Sequence, residues 1–387
     1  MNISRREMLS FMGAMSVFSL SPTHLTAQKS SSKILILVEL QGANDGLNTV
    51  IPYRRKQYYR LRPNIAIERK KVLTVSNNSG FHPSLVGISK LFEAGECKVI
   101  EGLGYPNPIL SHFESIELWE RGGDGRSNPH KGWLVDPLEY IVERTNYDAK
   151  AMFLDEEGAI FKGGGQGFIG PQALRQRFYD DISEYSDLDL GINSSANQLL
   201  ETLQRDSNSH KQKMASLSNK LKKVKRNIPI RGGSLGQQLS NVCGLVQADM
   251  DIPVYKVSIG SFDTHDAQPG IHANLLAQLD GAITDTVNFF KKIDRFNDLI
   301  IMTYSEFGRR ASENGSLGTD HGMAAPHFLI GGSVNGGFFG KSPSLTNLDQ
   351  NNLLFTTDYR SVYNMVLSRH FEFKQNPFEQ YAYSNLI

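Results

Sequence analysis

Cysteine is scarce in this chain: Cys97 and Cys243 are the two among 387 residues. A pair makes one bridge at most, so a disulfide framework and a cysteine-built zinc site are excluded. Two buried free thiols are the other reading. Net charge is also missing, with 41 Lys plus Arg against 40 Asp plus Glu. Overall charge therefore gives no pull toward nucleic acid. The one strongly basic stretch, residues 206–226, sets seven Lys or Arg against Asp206 and reads as a solvated helix face. The apolar run from Met8 to Leu20 covers 13 residues, well short of the roughly 20 that a spanning helix needs. No transmembrane segment is expected in the mature protein. No G-x-x-x-x-G-K-[ST], G-x-S-x-G or G-x-G-x-x-G unit follows a strand, so no nucleotide cofactor is expected. Internal repeats are absent as well.

What is present begins at the N-terminus. Ser4-Arg5-Arg6-Glu7 precedes the short apolar run, then Ser-Pro and a small-residue site near Thr26-Ala27. This is the grammar of an export signal, and the paired arginines mark the twin-arginine route. Residues 1–27 are read as that signal and 28–32 as a linker, which places the mature protein in the periplasm or outside the cell. The export machinery is thus an expected partner, and the bland alternative is a disordered tail. Replacing both arginines with lysine is expected to hold the precursor in the cytoplasm. Normal periplasmic yield from that variant would refute the assignment.

The rest, residues 33–387, reads as a single α/β domain with a mainly parallel sheet and helices on both faces. Lys33 to Leu40 is a near-continuous aliphatic run, as in strands covered on both sides. Further strands are expected at Cys97–Leu103, Val254–Ile259, Asp298–Thr303 and Pro326–Ile330. Helical spacing appears around Leu85 to Ala94, His272 to Ile293 and Tyr359 to His370. Between about residues 180 and 228 the composition turns polar, which suggests a helical insertion.

Polar residues gather just past these strands. Asn44 and Asp45 follow the first, and Ser111 and His112 follow the second. Asp263 and His265 follow the third, and Glu306, Arg309 and Arg310 the fourth. Asp320 and His321 come just before the fifth. In parallel sheets such residues meet at the carboxyl edge, where ligands bind, and carboxylates with imidazoles suit a divalent metal. Each also has a plainer role. Asp45 can be a turn residue, Ser111 with Glu114 a helix capping box, and His112 a packed or surface histidine. Asp263-x-His265 and Asp320-His321 are weak alone, and Glu306 can pair with Arg309 or Arg310.

Taken together, Gly42-Ala-Asn-Asp-Gly46, Gly104-Tyr-Pro-Asn-Pro108, Ser111-His-Phe113 and Phe262-Asp-Thr-His265 carry a resemblance. Ser305-Glu-Phe-Gly-Arg-Arg310, Gly318-Thr-Asp-His-Gly322 and Thr357-Asp-Tyr-Arg360 extend it. The chain resembles the twin-arginine-exported bacterial family called domain of unknown function 1501, from about residue 33 to 371. That family's fold looks like the alkaline phosphatase and sulfatase superfamily. The resemblance implies metal ligands at Asp45, Asp263, His265 and His321, with Ser111 near the nucleophile position. Ser305-Glu306 stands where the superfamily has Asp-His, so Glu306 is taken as the ligand there. Arg309 or Arg310 would hold nonbridging oxygens, and mixed N and O ligands favour Zn or Mn over Mg or Ca. The expectation is a hydrolase of phosphate or sulfate esters, on a small-molecule or glycan substrate. The alternative is a non-catalytic envelope, carbohydrate-binding or assembly protein with a degenerate site.

Overall fold

The computed structural model describes residues 32–144, 147–155, 158–164, 167–170, 219–220, 222–224 and 227–381. The expected signal at 1–27 and most of the expected insertion at 180–228 lie outside them. The central strands are β1 (Ile34–Leu40), β2 (Cys97–Gly104), β3 (Ala151–Phe153), β4 (Phe168–Ile169), β5 (Val254–Ile259), β6 (Leu299–Tyr304), β7 (Ala325–Gly331), β8 (Gly337–Phe339) and β9 (Thr357–Asp358). They form one sheet in the order β8-β2-β7-β6-β1-β5-β3-β4, with β9 also paired to β2. The helices that cover it include α1 (Val86–Glu93), α2 (His112–Arg121), α3 (Val135–Arg144), α4 (Gly233–Gln247), α5 (Gln268–Lys292) and α6 (Arg360–Met365).

Alternation along β1 explains why both faces are covered. Ile34, Ile36, Val38 and Leu40 pack in one buried cluster with Leu239 of α4 and Leu276 of α5. Leu35 and Leu37 point the other way, into a cluster with Leu118 of α2, Leu138 of α3 and Tyr363 of α6. A side-chain period of two thus feeds two cores from one strand. Glu39 continues the second set and meets Lys256 of β5 at 2.8 Å. Lys256 also binds Asp155 at 2.7 Å and lies 3.7 Å from Glu120 of α2. Burial pushes the Glu39 carboxyl up to about 7, against the pull of Lys256.

The sheet is mainly parallel: β1 runs parallel to β5 and β6, and β3 to β5. The exception is β7, which is antiparallel to both β2 and β6. Its reversal matters for the site. The start of β7, not its end, lies at the carboxyl edge of the parallel strands, so His321 just before it reaches the same edge. The closing helix expected at 359–370 is α6 followed by a wider helical turn at Val366–His370. Cys97 and Cys243 are buried and unbridged. Among the described residues no helix is long and apolar enough to cross a membrane.

Candidate metal centre

Three turns bring the site together at the carboxyl edge. After β1 the chain turns through Gly42 and Ala43, both with positive φ (106° and 66°). Gly42 packs so closely on the turn after β5 that a Cβ would stand 2.4 Å from the Asp263 nitrogen. A side chain there would drive Asp263 outward. Ser261 also holds positive φ (75°), a strained conformation for a non-glycine residue that the surroundings must impose.

Arg309 is the strut between these turns. Its Nε donates to the Ala43 carbonyl at 2.7 Å and its Nη1 to the Thr319 carbonyl at 2.8 Å. Nη2 donates to Asp263 Oδ1 at 2.5 Å and also to the Gly42 and Phe262 carbonyls. The side chain is fully buried. The expectation that Arg309 clamps substrate oxygens is therefore corrected: its donors are spent on the protein. Arg310 is 39% exposed, with Nη1 3.9 Å from Asp320 Oδ2.

Asp45 is corrected in the same way. Its carboxylate takes two bonds from Arg62, at 2.5 and 2.9 Å, one from Gln268 at 2.5 Å and one from the Leu47 nitrogen at 3.2 Å. Both members of the pair are fully buried. Burial would raise the Asp45 carboxyl, but the Arg62 guanidinium outweighs it and holds it low. With its lone pairs committed, Asp45 is a structural anchor and not a free ligand. Neighbouring Asn44 is buried too, its Oδ1 accepting from His272 Nε2 at 2.9 Å. Arg62, Gln268 and His272 were not picked out from the sequence. Arg62 lies 17 residues from Asp45 and Gln268 lies 223 away, separations that carry no periodic signal.

The residues that do converge are His112, Asp263 and His321, whose ligand atoms all lie within 4.8 Å of one another. His112 opens α2, so the helix start aims it inward. Ser111 holds the preceding N-cap position, but its hydroxyl makes no cap hydrogen bond, and the expected capping box does not form. His265 joins the group, its Nε2 3.0 Å from both Asp263 Oδ1 and His321 Nε2. Asp263 Oδ2 lies 3.5 Å from His112 Nε2.

Hydrogen bonds on the far side of each ring fix the proton positions. His112 Nδ1 lies 2.6 Å from Glu306 Oε1, and His321 Nδ1 lies 2.9 Å from the Leu110 carbonyl. Both partners only accept, so both Nδ1 atoms carry the proton in the assignment these acceptors dictate. That turns the Nε2 lone pairs of His112 and His321 toward each other across 3.0 Å. Two lone pairs at that distance repel unless a proton or a cation lies between them. His112 is the ring that takes the proton: its bond to Glu306 raises its pKa, whereas burial lowers that of His321. A divalent ion satisfies the same lone pairs, and Asp263 supplies negative charge beside them. Burial opposes that charge, yet Arg309 keeps the Asp263 carboxyl low. The donor set fits a borderline metal such as zinc, with imidazole and carboxylate ligands.

Glu306 is corrected from ligand to support. It is buried, and its Oε1 also accepts from the Gly42 nitrogen at 2.8 Å while Oε2 accepts from Ser305 at 2.9 Å. A carboxylate behind a ligating histidine is how proteins orient such rings. Asp320 stands behind His265 in the same sense, 3.4 Å from its Nδ1.

Three solved structures with similar chain paths are distant in sequence. One is a sulfatase, PsFucS1, from Pseudoalteromonas sp., 12% identical, with 92% of this chain and 71% of that one covered at a TM-score of 0.40. Another is a protein of the alkaline phosphatase superfamily from Vibrio parahaemolyticus, 12% identical, covering 88% and 72% at 0.39. A third is the zinc complex of the C-terminal periplasmic domain of EptC from Escherichia coli, 10% identical, covering 78% and 73% at 0.37. No curated protein matches the sequence. Residues 99–368 match the family described as "Protein of unknown function (DUF1501)", and the chain belongs to that family.

Proposed function

We propose that this chain is an exported, metal-dependent hydrolase of phosphate or sulfate esters. The observation that supports it is the convergence of the His112 and His321 Nε2 atoms on Asp263, an arrangement that a divalent ion between them would favour. His112 and His321 would hold a zinc or manganese ion through Nε2, and Asp263 through its carboxylate. Such an ion polarises an ester oxygen and brings water close to ionisation at neutral pH. Glu306 keeps the His112 ring in register. His265, half exposed with Asp320 3.4 Å from its Nδ1, stands where it would pass a proton to the alcohol oxygen as the ester bond breaks. Water is the attacking group in this scheme, with Ser111, next to His112 in the chain, as the alternative.

The purified protein is expected to carry about one zinc or manganese ion per chain and to cleave at least one member of a phosphate- and sulfate-ester panel. Glu306→Gln, which weakens the hold on His112, is expected to lower metal affinity roughly 10- to 100-fold in chelator competition. Unchanged affinity would remove Glu306 from the centre. A wild-type chain that retains no added metal and cleaves no ester would leave the non-catalytic binding protein as the better reading.

A further inference from the structure

A cavity of about 580 Å³ opens directly beside the centre, within the size range of small-molecule sites. One face of α2 forms a wall of it: His112, Phe113, Ile116, Glu117 and Glu120 all line it. Phe113 is 85% exposed, and it is the one aromatic among the strongly exposed large apolar residues described. A lone apolar side chain on a surface signifies little. Phe113 differs because it follows His112 in the chain and shares its cavity wall with Ile116. The lining also includes Glu39 and Lys256, already paired with each other. Lys256 is the one Lys or Arg among the described lining residues and is already held by Glu39 and Asp155, so the cavity offers no free lysine or arginine to additional negative charge on the bound molecule.

We propose that Phe113 is a specificity-determining residue: it stacks the alcohol portion of the ester, selecting a ring-bearing group without further negative charge. This rests on the hydrolase reading for the position of the ester but concerns recognition, not turnover. The geometry orders the two ends of the substrate. The tetrahedral anion lies at His112, Asp263 and His321, and the ring leans on Phe113 and Ile116, as aromatic faces favour.

Inert analogues test this without requiring hydrolysis. Phenylphosphonate and methylphosphonate form one pair, benzenesulfonate and methanesulfonate the other, each titrated calorimetrically into the zinc-supplemented protein. For whichever anion binds, the ring-bearing member is expected to bind roughly tenfold or more tightly. Phe113→Ala is expected to erase that preference while leaving the ring-less analogue and the zinc content unchanged, and Phe113→Tyr to restore it. Equal affinity of the two members in the wild type would overturn the proposal, as would a preference that survives Phe113→Ala. Binding of neither pair would overturn it too. A clear ring preference with no ester cleaved would instead count against the hydrolase reading alone.

Discussion

Arg62→Met is expected to destabilise the fold by about 3–5 kcal/mol, the cost of leaving one member of a buried ion pair without its partner. Against a total stability of roughly 5–15 kcal/mol this is a large fraction, and partial unfolding at room temperature is a realistic outcome. The size follows from the geometry. Arg62 and Asp45 are both fully buried and doubly bonded, so water cannot take over when the guanidinium is removed. Adding Asp45→Asn removes the stranded charge and is expected to recover much of the loss, since Gln268 and the Leu47 nitrogen still face that position. The measurement is urea unfolding of both single variants and the double, read as a mutant cycle. Zinc content of the soluble Asp45→Asn protein should match the wild type. A cost below about 1 kcal/mol, the level of an exposed pair, or loss of zinc from Asp45→Asn would return Asp45 to the ligand set.

The second large effect concerns the centre itself. Replacing both His112 and His321 with alanine is expected to take bound zinc to background and to abolish turnover. The fold should survive, because both side chains are partly exposed (30% and 24%) and neither belongs to the buried clusters. Metal linkage gives the sharper readout: an ion present at 100 times its dissociation constant stabilises the wild type by about 2.7 kcal/mol. The double variant should gain nothing from the same ion, and a chelator should bring the two melting curves close together. An equal zinc-dependent rise in melting temperature for both proteins would show that the ion binds elsewhere.

Much of the fold was legible because its signals are local. Continuous aliphatic runs gave β1, β5 and β6 close to their observed limits, and a helical period gave α1 and α5. Two informative departures also stood in plain view: Glu39 and Lys256 are charged residues inside otherwise apolar strands, and a buried pair across neighbouring strands accounts for both. The site was legible only as a neighbourhood. Asp263, His265 and His321 do meet, and His112, a secondary candidate, meets them. Asp45 and Arg309 have the right position and chemistry but are bound by partners that sequence spacing could not reveal.

The sequence by itself determined the α/β layering, the family, and the gathering of carboxylates and imidazoles beyond the strand ends. These follow from short-range periodicity and from the order of residues along the chain. Tertiary structure alone decided which of the gathered residues have lone pairs left to offer. Glu306 turns His112 from 194 residues away, and Arg62 and Arg309 neutralise carboxylates that would otherwise have looked like ligands. It also decided the direction of β7, and with it whether His321 would reach the centre or the opposite edge of the sheet. Strand direction depends on the whole path of the chain, and a side chain's free valences depend on everything packed against it; neither is written in the residue or its near neighbours.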